Sequence, residues 1–404
     1  MPYYNRHEKL INTAYYMDEV TIISYPGTKN ANLLSLARGR SKYMLPFGGR
    51  SRIVDFTIRN SMISGARKTI LFSNIKDNLE DYVEHYGPFR GENFPAIKVV
   101  SKEYSDIHVC YDLILDSNTN YYIIYSGDDP ALIDFREMLG LFRKSRKKAM
   151  LYKLKFGGHA TLAHTVLITT QKTLLKVIDS AIEEERKAPN IFDMIINMML
   201  NDGIDTGTFG VTCWPLHNIP DYYNFTMEVV KNRDIFSLIY GESEIKSWIQ
   251  YERYANVGVN ANIQNSFISD GCDINGTVIN SIVYPGVTIG KKAYVKDSIL
   301  LPYVRIGAGA RIFRTIVDES FITPGEEEEY YNNIGENCIV GTENEGLKNN
   351  DYPRSIFSSI SLIGNDCRIP GGARVGGACY IAPGLGMDYF FKTRVLYDGM
   401  SIVK

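Results

Sequence analysis

Two periods of apolar residues divide the chain. Up to about residue 250, short β-branched and aromatic runs such as MDEVTIISY (17–25), RKTILFS (67–73) and YYIIYSG (121–127) alternate with longer stretches whose apolar positions recur at helical spacing. The runs predict strands, while ALIDFREMLGLFRKSRKK (131–148) and TQKTLLKVIDSAIEEERK (170–187) predict amphipathic helices. In the second helix Leu174, Leu175, Ile178, Ala181 and Ile182 share a face, and Pro189 marks the break before IFDMIINMMLNDG (191–203). Strands alternating with helices predict a parallel sheet covered on both faces, with ligands beyond the carboxyl ends of its strands.

After residue 255 the spacing becomes six. Ile363, Ile369, Val375 and Ile381 follow it, as do Ile289 with Val295 and Ile306 with Ile312. NSIVYPGVTIG (280–290) recurs as DSILLPYVRIG (297–307), seventeen positions on, which is one coil of three hexapeptide strands. Such a repeat predicts a β-helical solenoid, each strand burying one apolar residue and Gly and Pro fitting the corners. The expected organisation is an α/β domain over 1–250 and a hexapeptide-repeat domain over 251–404. GEEEEYYNNIGEN (325–337) and ENEGLKNNDYPRS (343–355) read as solvated excursions from the coils.

Composition narrows the partners. With 44 Lys plus Arg against 46 Asp plus Glu, the net charge of -2 gives no reason to expect nucleic acid or an anionic membrane, so any basic site must be local. No apolar run approaches the ~20 residues that span a bilayer, and MPYYNRHEKLINTAYY has no secretory apolar core. The six cysteines form no CxxC pair, so neither a zinc site nor a disulfide framework is expected, and a reduced cytoplasm fits. His159 and His164, five apart in FGGHATLAHTV, suit neither one helical face nor one strand face and are expected to be structural.

The stretch LPFGGRSRIVDF (45–56) carries candidate chemistry. Gly48 and Gly49 predict a tight turn whose amides can approach an anion, with Arg50 and Arg52 beside it. It lies in RSKYMLPFGGRSRIVDFTIRNSMISGARKTILFSN (40–74), which resembles the ADP-glucose pyrophosphorylase (glucose-1-phosphate adenylyltransferase) family of sugar-nucleotide pyrophosphorylases. The matching residues are Arg40, Lys42, Pro46, Phe47, Gly48, Gly49, Arg52, Ile53, Asp55, Phe56, Asn60, Ser64 and Gly65. SILLPYVRIGAGARIFRTIVDESFITPG (298–325) is similar to that family's β-helix block. The resemblance implies a Rossmann-like nucleotidyltransferase domain with a mixed sheet, followed by a left-handed parallel β-helix.

The departures bear on function. Catalytic members of the family carry a glycine-rich loop that holds the nucleotide phosphates; here VTIISY is followed by PGTKNANLLSLARGR, with one glycine at 27 and no arginine before Arg38. Paired glycines are what let amides converge on a triphosphate, so the cradle is expected to be lost. SGDDPALIDF (126–135) keeps Gly127 and Asp128, the aspartate that holds magnesium in active relatives, but WPLHNIPDYYNF (214–225) lacks the family's second metal carboxylate. The segment that grips the sugar phosphate has no counterpart.

What the resemblance therefore implies is the GlgD-type companion subunit: weak or silent in catalysis, with Lys42 and Asp128 as vestigial catalytic candidates and no confident metal site beyond Asp128. The implied partner is a catalytic subunit that would bring the magnesium ion, in a hetero-tetramer of glycogen synthesis. Arg40, Gly48, Gly49, Arg52, Arg311 and Arg314 are the candidate site for a sugar-phosphate, phosphate or sulfate effector, the alternative being a charge cluster that ties the domains together. Two other functions stay open, an active adenylyltransferase with a divergent loop and a scaffold without ligand. A hexapeptide acyltransferase fits poorly, because all six histidines lie at or before residue 217.

Overall fold

The computed structural model describes residues 19–26, 31–73, 78–84, 95–100, 106–155, 165–242, 253–320 and 332–403. They fall into two compact units, one drawn from within Met1–Lys29, Gly39–Leu45 and Ile53–Pro215, the other from within Asn30–Arg38, Pro46–Arg52 and Leu216–Lys404. His159, His164 and residues 325–331 of the acidic excursion lie outside the described residues.

In the first unit the sheet runs, edge to edge, Asp205–Gly210, Ala149–Lys155, Thr165–Thr170, Tyr121–Ser126, Val20–Tyr25, Lys68–Phe72 and Ala96–Val100. Its strands are parallel except Thr165–Thr170, which is antiparallel to both neighbours, so the sheet is mixed and Rossmann-like. Alternate residues of one strand feed opposite cores: Ile23 and Tyr25 pack with Leu174, Ile178, Phe192 and Ile195, whereas Val20 and Ile22 pack with Phe135, Met138 and Phe142. Burial on both faces explains why the strands read as continuous apolar runs.

Helix limits follow their caps. Thr170 caps Gln171–Glu183 and Asn190 caps Ile191–Asn201, each accepting backbone N–H groups of the first turn. The helix expected from 131 begins instead at Phe135 and ends at Ser145. Asp134 caps its start, Ala131–Leu132 pairs with Thr212–Cys213, and Arg146 closes it in a left-handed conformation.

The second unit contains the parallel β-helix. Three parallel sheets run along it, and successive coils stack Ile274 on Ile289 and Ile306, Val278 on Val295 and Ile312, and Val283 on Leu300 and Val317. These residues form one continuous core. The seventeen-residue repeat is its register: Thr288 pairs with Arg305 and Val295 with Ile312. The helix Ile219–Lys231, capped by Asn218 with Pro220 in its first turn, also belongs to this unit. All six cysteines are buried and none forms a disulfide. Among the described residues no helix is long and apolar enough to cross a membrane.

Candidate functional site

In the first unit, polar residues gather where the strands Val20–Tyr25 and Tyr121–Ser126 end. Gly127 follows the second strand, and a side chain there would collide with Ser24 Oγ and with Thr57 Oγ1 at 2.7 Å. This close approach admits only glycine. Next in sequence come Asp128 and Asp129, both buried. Ser126 Oγ donates to Asp128 Oδ1. Lys42 reaches in from the short turn Lys42–Met44, which a hydrogen bond between Tyr43 and Ser24 hydroxyls (2.8 Å) fastens to the first strand.

Lys42 Nζ donates to Asp129 Oδ1 at 2.7 Å and lies 3.9 Å from Asp128 Oδ2, and its side chain is only 4% exposed. Burial pulls the Lys42 pKa down, but the two carboxylates more than offset it and the net shift is upward. Beside this group, Tyr25 Oη donates to Asp193 Oδ1 (3.1 Å) and its ring stacks on Phe192 (4.9 Å). Burial pushes both Tyr25 and Asp193 upward, and the charge of Asp128 adds to each.

Sequence reasoning singled out Lys42 and Asp128, and the structure brings them together. It missed Asp129 and Asp193. Asp129 was legible as the second acid of GDDP, while Asp193 had only its place three residues after the capping Asn190 to mark it.

A magnesium ion prefers octahedral oxygen ligands shared with substrate phosphates. Here Asp129 pairs with Lys42, whose ammonium also faces Asp128, and among the described residues no three His, Cys, Asp or Glu side chains are gathered around a common point. This donor set does not fit a magnesium site. Lys42, the cation these carboxylates face, is covalently part of the chain.

The turn at Gly48 and Gly49 lies in the second unit, joining the antiparallel pair Pro46–Phe47 and Ser51–Arg52. Both glycines have positive φ, 74° and 110°. The structure gives them a packing use. A Cβ on Gly49 would come within 2.7 Å of the Phe267 ring, and one on Gly48 within 3.1 Å of Tyr240 Oη. The Tyr240 and Phe267 rings stack at 5.6 Å. Hydroxyls close over the turn's carbonyls: Tyr222 donates to Pro46 O, Tyr240 to Gly48 O and Ser269 to Gly49 O, each at 2.7 Å.

The arginines have separate stations. Arg40 is buried in the first unit. Arg52 pairs with buried Glu319 at 3.1 Å. Arg311 lies over the rings of Phe313 (5.6 Å) and Tyr294 (5.9 Å), and Arg314 pairs with Glu345 at 3.1 Å. Arg314 precedes the strand Thr315–Val317 and Glu319 follows it, so Arg52 and Arg314 engage opposite ends of one strand.

Residues 27–30 of the loop after the first strand lie outside the described residues. Its continuation, Ala31–Ala37, buries Leu33, Ser35 and Leu36, and Asn32 meets Ser355 at 3.3 Å. This described part is committed to packing.

Residues 253–338 match the family model described as GlmU-like, C-terminal hexapeptide. Over most of its length the chain is also similar to bacterial proteins named glucose-1-phosphate adenylyltransferase. It is 23% identical to that of Desulfitobacterium hafniense over 394 residues, covering 86% of this chain and 94% of the relative. Against that of Clostridium perfringens it is 23% identical over 334 residues, 71% of this chain and 86% of the relative. Against that of Acetivibrio thermocellus it is 20% identical over 422 residues, 92% and 95% of the two chains. These likenesses point to the glucose-1-phosphate adenylyltransferase family.

Proposed function

We propose that this chain is a catalytically weak or silent subunit of a glucose-1-phosphate adenylyltransferase, assembling with an active homologue that supplies the magnesium site and forms ADP-glucose for glycogen synthesis. One observation carries the reading: the buried group in which Lys42 neutralises Asp129 and faces Asp128. Adenylyl transfer needs cations free to meet phosphate oxygens and carboxylates free to hold a metal. In this chain Lys42 gives its hydrogen bond to Asp129, and its ammonium also lies 3.9 Å from Asp128, the aspartate that matches the family's metal ligand. Separating them would leave a buried carboxylate uncompensated, a cost of about 3–5 kcal/mol.

The same reading accounts for the loop after the first strand, which lacks paired glycines and whose described part is packed. A scaffold similar to the active enzymes suits a subunit of a mixed assembly. Co-expression with a catalytic homologue from the same cell tests this. A mixed oligomer, hetero-tetrameric by mass, with ADP-glucose synthesis tracking the catalytic chain is the expected result. Separate species at micromolar concentration would refute it.

A further inference from the structure

One leucine stands in a backbone conformation that favours glycine. Leu34 has φ 49° and ψ -126° and kinks the short helical segment Ala31–Ala37. These angles are those of the first central residue of a type II′ turn, where a Cβ is crowded and glycine is the usual occupant. An L side chain persists there only when its surroundings dictate the conformation. They do so on both sides: Leu33 and Leu36 are fully buried and Ser35 nearly so, while Leu34 itself is half-buried.

The excursion that begins at residue 343 holds this segment. Ser355 Oγ donates to Asn32 Oδ1 at 3.3 Å, and the Ser355 carbonyl accepts the Ile219 N–H at 3.1 Å. The excursion is fixed in turn to the last coils through Asn349, which is 1% exposed. Asn349 Nδ2 donates to the carbonyls of Ala378 (2.9 Å) and Met400 (3.5 Å). Its Oδ1 accepts the N–H groups of Asp351 and Tyr352 and the Ser401 hydroxyl. Tyr352 also meets the Tyr380 ring edge-on at 5.5 Å. A line of contacts through Asn349, Ser355 and Asn32 therefore runs from the last coils to the kinked segment, all within the second unit.

We propose that residues 31–38 are a strained strap with two states, docked and released, and that the excursion sets the balance between them. Strain raises the free energy of the docked state, so the gap to the released state is narrow and a few contacts decide it. On release Leu34 returns to an ordinary backbone conformation; in the docked state the buried leucines and Ser355 offset its strain. A glycine at 34 would keep the docked turn without strain, as glycines do at 48 and 49 with positive φ. Leucine makes the same turn releasable. The strap is the stretch of chain between Tyr25 and Lys42, so its release lengthens the unanchored chain that joins them. The device does not depend on whether the sheet unit is catalytic.

The test is hydrogen exchange of the full chain followed by mass spectrometry, with the peptide over 31–38 as readout and one over 288–300 in the coils as reference. Leu34→Gly and Leu34→Ala both remove the leucine side chain and differ in what their backbones tolerate. The strained turn predicts exchange of 31–38 at least about threefold slower in the glycine variant than in the alanine variant. In an ordinary conformation the order is reversed, because glycine favours the open chain. Ser355→Ala, which removes one hydrogen bond, should speed exchange of 31–38 by about threefold to tenfold and leave the reference peptide unchanged. Asn349→Ala should speed it by about tenfold or more and carry the excursion with it, and Ser355→Ala keeps the test decisive if that variant fails to fold. Tryptic cleavage after exposed Arg38 should rise in the same order. Exchange no slower in Leu34→Gly than in Leu34→Ala would overturn the strain, and wild-type exchange of 31–38 in Ser355→Ala would overturn the hold.

Discussion

Two groups of opposite charges in this molecule are built on different terms. Around Lys42, two aspartates and a lysine are sealed from water, positioned by Gly127, Ser126 and Tyr43. Around Lys296 and Arg314, cations fixed in the coils meet glutamates that remain mostly in solvent. Coulomb attraction is strong in the first place and screened in the second, but desolvation reverses the functional meaning. The buried group is locked, because opening it strands a charge. The exposed group is open to exchange, because water replaces a departing carboxylate at little cost. The locked charges thus lie in the sheet unit, and the loosely held ones lie on the solenoid.

The largest effect expected from breaking this contrast is on stability. Lys42→Met leaves Asp128 and Asp129 buried without their cation and should cost about 3–5 kcal/mol in urea unfolding. The lysine pKa is raised in the folded state, so its stabilisation is fully present below the ordinary lysine range and is lost as pH rises through the folded value. Wild type should therefore lose stability in that alkaline window, and Lys42→Met should lose less, the buried tyrosines still contributing. A wild-type-like unfolding midpoint for the variant would mean that the group is not locked.

Arg52→Ala removes the cation paired with Glu319, whose side chain is 4% exposed, and should cost about 2 kcal/mol. Gly49→Ala sharpens the packing account of the turn: with φ at 110° and the Phe267 ring 2.7 Å from the new Cβ, a loss of about 1–3 kcal/mol is expected. If Gly49→Ala were neutral in thermal unfolding, the ring would not be what requires the glycine. The smallest effect belongs to the exposed pair. Arg314→Ala should change stability by less than about 1 kcal/mol in thermal unfolding, because its partner Glu345 is 81% exposed and water replaces it.

The solenoid was legible in the sequence because every inward position is apolar and each coil repeats the last, so Ile363, Ile369, Val375 and Ile381 mark the register unaided. The sheet was legible only where strands are buried on both faces. Ala96–Val100 and Asp205–Gly210 are edge strands, partly exposed, and DTGTFG has glycine and threonine where a central strand has isoleucine. Thr165–Thr170 runs antiparallel to both neighbours; the resemblance implied such a mixed sheet, but no local pattern encodes it. The glycine turn shows a further limit. Paired glycines announce a close approach, but that Phe267 and Tyr240, distant in sequence, crowd their Cβ side is visible only in the fold. Likewise Lys42 and Asp128 were recognisable, while the pairing that binds the lysine became visible only with Asp129 folded against it.

The proposed silent role of this group is tested most directly by ADP-glucose formation by the purified chain alone, with ATP, glucose 1-phosphate and magnesium at saturating concentrations. The locked group predicts a rate at least about a hundredfold below the catalytic homologue measured in parallel, since each missing electrostatic contact removes about that factor. A turnover on the order of 1 per second, within the range of ordinary enzymes, would contradict it.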